Sequence, residues 1–457
     1  MGIPTVTVTR EGFSQVVANA FAGLGYPAEA PQVIYPVGMF IPGSNLSPIE
    51  EKMDELIAGL TKWEPQLKGK GVVSPPKLRV EGKDYEEALA NTNKLFLRNM
   101  WSDGLPLIPP TEGRVSWMLT GTGLPRDKIV ARILPRGGIA TVETIAVNLV
   151  LAGGRPEYLP VLIAAVEAIG KPQSAHHRMN STTCSVFPAV IVNGPIAEQI
   201  RLGSGYGCLG PDPLHPAGAG IGRALRLLLL GAGGALPGTG TMAIFGGPAR
   251  YTNIVFAEDE ASLPADWKSL GVEQGFSLGS NTVTTYAVAS TTNILGAEAG
   301  DKESALGTLN RAAGVMGIPS QNYWLEPYNP EGAAGILLMA SGTVQGLSRL
   351  GWSKEEVKSY LWENSKVPLS KIGPNIHPRA RMKVTQDPIP ISMSPKGIKI
   401  VVAGGLQSGH MMWLQVGCCP EQVTSAEIKL PANWEELLRK AEEDLGPAQR
   451  FIYETPF

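Results

Sequence analysis

Asn180-Ser-Thr-Thr-Cys-Ser-Val-Phe-Pro-Ala-Val-Ile-Val-Asn-Gly-Pro-Ile196 runs on through Gly203-Ser-Gly-Tyr-Gly-Cys-Leu-Gly210 to Gly220-Ile-Gly-Arg-Ala-Leu-Arg-Leu-Leu-Leu-Leu230. A hydroxyl-rich loop with a cysteine precedes an apolar strand at residues 189–193. A glycine-rich loop with a second cysteine then leads to an apolar helix over 221–230. This is the order in which α/β enzymes build small-molecule sites at the carboxyl ends of their strands. Working outward, the chain alternates again. Helices are expected over 85–100, 141–152, 159–169, 304–315, 333–350, 354–363 and 434–445, with strands at 282–289 and 398–402. Such alternation predicts an α/β fold with a mixed sheet.

Bulk properties exclude more than they identify. The 457 residues are 43% hydrophobic and 18% charged, enough for a large core and too long for one average domain. A net charge of -2 offers no footprint for nucleic acid or an anionic membrane. The longest apolar run, 225–235, contains Arg226 and falls short of the roughly 20 residues that a membrane span needs. Four cysteines are too few for a secreted disulfide scaffold, and no signal-peptide pattern opens the chain, so a cytoplasmic location is expected. The expected partners are a small-molecule substrate and protein, and a higher oligomer is compatible with the sequence.

The amino terminus is organised differently. Residues 3–9 read as a β-strand, 11–24 as a helix, and 50–63 as a second helix with apolar Met53, Leu56, Ile57 and Leu60 at helical spacing. Residues 64–82, rich in Pro, Gly and Lys, read as a linker. The expected organisation is an incomplete small α/β domain over 1–75 and a larger mixed α/β domain over 83–457.

Several strings carry a family resemblance: Asp103-Gly-Leu-Pro-Leu-Ile-Pro-Pro-Thr-Glu112, Ala152-Gly-Gly-Arg-Pro-Glu-Tyr-Leu-Pro160, Val192-Asn-Gly-Pro-Ile196, Gly220-Ile-Gly-Arg-Ala-Leu-Arg226 and Val402-Ala-Gly-Gly405. Through them the chain resembles the UGSC-type (seleno)protein family, whose first domain is similar to the substrate-binding component of glycine, sarcosine and betaine reductases. The resemblance implies that the first strand is the second strand of a small α/β domain, whose Cys- or selenocysteine-bearing half lies upstream in that family. A separate small Cys/Sec-containing subunit is then the expected partner. The alternative is that residues 1–75 pair with later strands of the same chain. Family members carry Thr-Thr-His where this chain has Thr182-Thr183-Cys184, a departure that leaves the role of Cys184 open.

Each candidate site residue has a packing reading beside its functional one. Cys184 is a nucleophile if His176 or His177 lowers its pKa, and otherwise a buried thiol. His177 is a catalytic candidate, and His176, Arg178 and Thr183 are substrate-binding candidates on the same segment. Asn193 ends the apolar strand, where it can point into a crevice. Cys208 sits among glycines that allow close approach of backbone donors to a ligand. Arg223 and Arg226 share a helix face and need an anionic partner, either a substrate carboxylate or a structural Asp or Glu. His410, expected in a loop after the strand at 398–402, is an acid/base candidate.

Catalogue motifs fail on context. Gly205-Tyr-Gly-Cys-Leu-Gly210 is followed by prolines where a dinucleotide fold needs a helix, and Gly275-Phe-Ser-Leu-Gly279 by a strand-like run. No nucleotide cofactor is indicated, the cofactor is unspecified, and no spacing among Cys184, Cys208, His215 and His410 supports a metal. Three functions remain. The first is the large subunit of a thiol- or selenol-dependent enzyme acting on a small organic molecule, with reductive bond cleavage as the activity the resemblance implies. The second is a Cys/His-based hydrolase or lyase without redox chemistry, and the third a non-catalytic substrate-holding subunit.

Overall fold

The computed structural model describes residues 5–23, 26, 30–40, 43–64, 77–319, 334–371, 386–417 and 423–446. In chain order, a small unit contains β1 (Thr7–Arg10), α1 (Ser14–Gly23), β2 (Gln32–Tyr35), α2 (Ser47–Glu51) and α3 (Met53–Thr61). The large unit opens with α4 (Tyr85–Arg98), α5 (Glu112–Leu119), β3 (Ile129–Ile133), β4 (Gly138–Thr141), α6 (Val142–Leu151), α7 (Leu159–Gly170) and α8 (His176–Ser181). It continues with β5 (Phe187–Asn193), α9 (Ile196–Gln199), α10 (Ala217–Gly231), β6 (Ile254–Ala257), α11 (Leu270–Glu273), β7 (Thr282–Leu295) and α12 (Lys302–Met316). It ends with β8 (Gly335–Met339), α13 (Ser341–Arg349), α14 (Lys354–Asn364), β9 (Ile398–Val402), β10 (His410–Val416), β11 (Thr424–Glu427) and α15 (Trp434–Leu445). The fold is α/β with one mixed seven-stranded sheet. No described helix is long and apolar enough to cross a membrane.

The sheet order, β6-β5-β7-β10-β8-β9 with β11 beside β7, reads the same from both ends. β5 is parallel to β6 and antiparallel to β7, as β8 is parallel to β9 and antiparallel to β10. Two strand-crossover-strand-return units therefore meet at the antiparallel β7–β10 pair. Their hydrogen bonding matches in detail: Glu258 N–H donates to Val192 O at 3.0 Å, and Ala403 N–H to Met339 O at 3.1 Å. The sheet curls until its two outer strands approach, and Asp259 N–H donates to Val402 O at 2.8 Å.

Side chains from all six strands of this path fill the enclosed face, among them Phe187, Phe256, Tyr286, Leu338, Val401 and Leu414. The outer face is covered by two separate helical layers. Helices α6, α7 and α10 pack over the β5–β6–β7 half, and α12, α13 and α14 over the other. Every residue of β5 is buried, because it has sheet neighbours on both edges and apolar layers on both faces.

The structure corrects several expectations. The helix expected over 333–350 is strand β8 followed by α13, since Gly335-Ile-Leu-Leu-Met339 is a short apolar run whose periodicity does not separate strand from helix. Gly335 also serves packing, for a Cβ there would lie 2.4 Å from the Trp413 ring. His410 is the first residue of β10, not part of a loop. β1 starts at Thr7 and pairs in parallel with β2, a strand inside the small unit that the sequence reading did not include. Most of the expected linker, residues 65–76, lies outside the described residues.

Helix α10 reaches the sheet only because Gly222 has no side chain. A Cβ at that position would lie 1.9 Å from Thr252 O and 2.8 Å from Asn253 O, both fixed backbone atoms. Alanine is the better helix former, yet Gly222→Ala is expected to lower stability by about 1–3 kcal/mol because the helix must shift off β6. Urea unfolding measures this, and an unchanged or higher midpoint would show that the contact is slack.

Candidate functional site

The carboxyl ends of β5 and β6 carry a buried polar cluster. Asn193 Nδ2 donates to Glu258 Oε2 at 2.7 Å, and Leu270 N–H donates to the same oxygen at 2.6 Å. Gly194 N–H donates to Glu260 Oε2 at 2.6 Å. Asn193 Oδ1, Glu258 Oε1, Ser269 Oγ and Thr282 Oγ1 are buried with no protein partner. Burial raises the Glu258 pKa, against the pull of the Lys354 charge and the two donors. The second unit builds the same strand end with Ala340 and Ala403 in the places of Asn193 and Glu258. The backbone geometry therefore does not require these polar residues, and their chemistry is specific to the first unit.

The glycine-rich loop 203–210 lies over the seam between the outer strands. Ala257 N–H donates to Gly203 O at 2.9 Å, and Gly404 N–H to Ser204 O at 2.8 Å. Cys208 packs against the enclosed apolar face, and burial pushes its thiol up to about 11. At neutral pH it is a thiol rather than a reactive thiolate. The far side of the seam is the 404–409 turn that leads to His410, where Ser341 Oγ donates to Gly405 O at 2.9 Å and Gly409 N–H to Thr343 Oγ1 at 2.9 Å. The His410 ring is exposed, with Nδ1 3.3 Å from Ser408 O. Asn193, Cys208 and the His410 turn thus belong to one region.

The other candidates lie elsewhere. His176 is buried on α8, where its Nε2 accepts from Leu134 N–H at 3.0 Å while Asn180 Nδ2 donates to Leu134 O at 2.6 Å. Together they clamp both polar groups of Leu134. Burial, then the neighbouring His177, pushes the His176 pKa down to about 4, so the ring is neutral at physiological pH. His177 and Arg178 are exposed on the same short helix, and partial desolvation followed by the Arg178 charge lowers the His177 pKa. Thr183 and Cys184 follow, half-buried. Thr183 O accepts from Ile244 N–H at 3.0 Å, and Cys184 packs at the edge of the larger core. Arg223 has a structural anion: its Nε and Nη2 grip Asp103 at 2.9 and 3.1 Å, and Nη2 also donates to Pro106 O.

A cleft of about 500 Å³ opens beside that ion pair, lined by Ile108, Arg114, Trp117, Gly153, Gly154, Tyr158 and Gly220 among others. Three of the strings singled out in the sequence, at 103–112, 152–160 and 220–226, converge there. Trp117 and Tyr158 were not candidates, because isolated aromatic residues carry no spacing signal. Among the described residues no group of three His, Cys, Asp or Glu side chains is placed to hold a metal ion. No family model matches the chain, and no curated protein or solved structure is significantly similar to it.

The His176 clamp makes stability pH-dependent with a definite sign. A histidine whose folded pKa lies below its unfolded value stabilises the fold above the unfolded value near 6.5, and this contribution is lost as pH falls toward about 4. The full loss is roughly 3 kcal/mol. His176→Gln keeps an acceptor for Leu134 but does not titrate. Its urea midpoint should therefore change less between pH 7 and pH 4.5 than that of the wild type, and parallel changes would contradict the assignment.

Proposed function

We propose that this chain is the large, substrate-holding subunit of a thiol- or selenol-dependent enzyme acting on a small organic molecule, with the reactive Cys or Sec delivered by a small partner subunit. The observation that carries this reading is the half-built small unit. Among the described residues its sheet has two strands, β1 and β2, with α1 and α3 packed against it. Thr7 N–H and Glu11 N–H point toward β2, so the amides of Val8 and Arg10 face the opposite edge, where no described residue bonds them. The outer edge of β2 is partly covered, since Lys52 Nζ donates to Ile34 O at 2.7 Å.

The small unit exposes apolar side chains. Val8 is 51% exposed, and Met53, Ile57 and Leu60 form a stripe on α3 at 42%, 50% and 43% exposure. An open edge is a template for a further strand, and an exposed apolar stripe is a surface for a covering layer. The large unit supplies what such a partner would act on: the 500 Å³ cleft and the polar seam at Asn193, Cys208 and His410. The raised pKa of Cys208 supports a thiol from another source. Bond cleavage by reduction is the reaction that the family resemblance favours.

The reading separates from a Cys/His hydrolase or lyase at Cys184. In a complex purified from its native source, mass spectrometry should find a second, Cys- or Sec-bearing chain. Cys184→Ser should retain turnover within about threefold, whereas loss of a catalytic nucleophile costs up to about 10⁶-fold. Near-total loss of activity, or full activity of the isolated chain without a reduced donor, would favour the hydrolase or lyase instead.

A further inference from the structure

Two guanidiniums, buried Arg226 and half-buried Arg250, stand near one another without a carboxylate of their own among the described residues. Arg226, on the inner side of α10, is 9% exposed and makes one long hydrogen bond, 3.4 Å to Ala235 O. Arg250 is held by neutral oxygens: Nε and Nη2 donate to Val186 O at 3.0 and 2.7 Å, and Nη1 to Thr241 Oγ1 at 2.9 Å. Neither forms an ion pair with a described residue. Asp103 lies within electrostatic range of Arg226, but both of its oxygens are held by Arg223. Arg223 and Arg226 therefore share one carboxylate, and no carboxylate faces Arg250 among the described residues.

Burying an unpaired charge is costly, and arginine does not relieve the cost by losing its proton at neutral pH. Burial and the Arg226 charge push Arg250 down only to about 10. An anion would remove the imbalance, and planar guanidinium forks match the paired oxygens of a carboxylate or phosphoryl group. The surroundings are ordered for this purpose. Met242 N–H donates to Ser181 O and Ile244 N–H to Thr183 O, so the loop bearing Thr241 and Arg250 is stitched along the segment that carries Cys184.

We propose that Arg226 and Arg250 form a binding site for an oxyanion, the carboxylate or phosphoryl end of a small ligand, between the 236–250 loop and the 181–186 segment. This site does not depend on the two-subunit reading, since both arginines and their contacts lie within the large unit.

Thermal unfolding of the full chain in acetate, or in inorganic phosphate, against potassium chloride at equal ionic strength tests the site. A saturable rise in Tm with either anion is expected, and the tighter of the two identifies the ligand end. Arg226→Met should unfold no earlier than wild type without anion, since it removes an uncompensated buried charge, and should weaken anion binding by roughly tenfold or more. Should that variant fold poorly, phenylglyoxal labelling of the wild type, mapped by peptide mass spectrometry, reads the same site. Labelling of Arg226 and Arg250 should fall severalfold at saturating anion. The proposal is overturned if neither anion raises Tm beyond chloride, if the rise survives Arg226→Met, or if labelling is unchanged by the anion.

Discussion

Strand β7 is the constraint on which the large unit depends. Its 14 residues span about 46 Å at the usual rise per residue, far longer than an average strand. β5 occupies one edge over Thr282–Val288, and the other edge is shared end to end by β11 and β10. Val288 is the junction, opposite Phe187 on one side and Val416 on the other, and Ala289 of β7 is skipped where the register shifts between Gln415 and Val416. A strand of this length accumulates twist, and bulges increase it. The sheet that it organises therefore curls until the ends of β6 and β9 touch.

That curl converts two similar units into one asymmetric site. The repeated backbone bonds at Glu258–Val192 and Ala403–Met339 hold the two strand ends in the same way, while the side chains diverge. One end buries Asn193 and an acid whose pKa burial raises, and the other has alanines in their places. The nearby Lys354–Glu273–Lys358 cluster shows the opposite solution to burying charge. There each lysine has a carboxylate oxygen within 2.8 Å, and the Glu273 pKa is lowered. The contrast is between lysines paired with a carboxylate and arginines that, among the described residues, have only neutral oxygens as partners.

Much of the architecture was legible in the sequence where one signal dominated. The apolar run ending at Asn193, the helices capped at Asp84 and Thr141, and the amphipathic α15 appear within a few residues of expectation because periodicity and capping agree there. Strands β2, β6 and β10 were not legible. They are short or contain polar and exposed residues, and they become strands only through partners distant in sequence, as His410–Val416 does between β7 and β8. Arg223 was read with two alternatives, and Asp103, 120 residues away, supplies the structural one. The proximity of Arg250 to Arg226 had no sequence signal, since it arises from the return of the 236–250 loop across α10.

The central claim concerns the small unit, whose sheet presents one open edge and whose helix α3 presents an apolar stripe. Amide hydrogen exchange at Val8 and Arg10 reports on that edge directly, because Thr7 and Glu11 already donate toward β2 and serve as internal controls. The account predicts fast exchange at Val8 and Arg10 in the isolated chain and marked slowing when the native partner is added, with little change elsewhere in β1. Slow exchange at both amides in the isolated chain would contradict it, for the edge would then be filled by this chain itself.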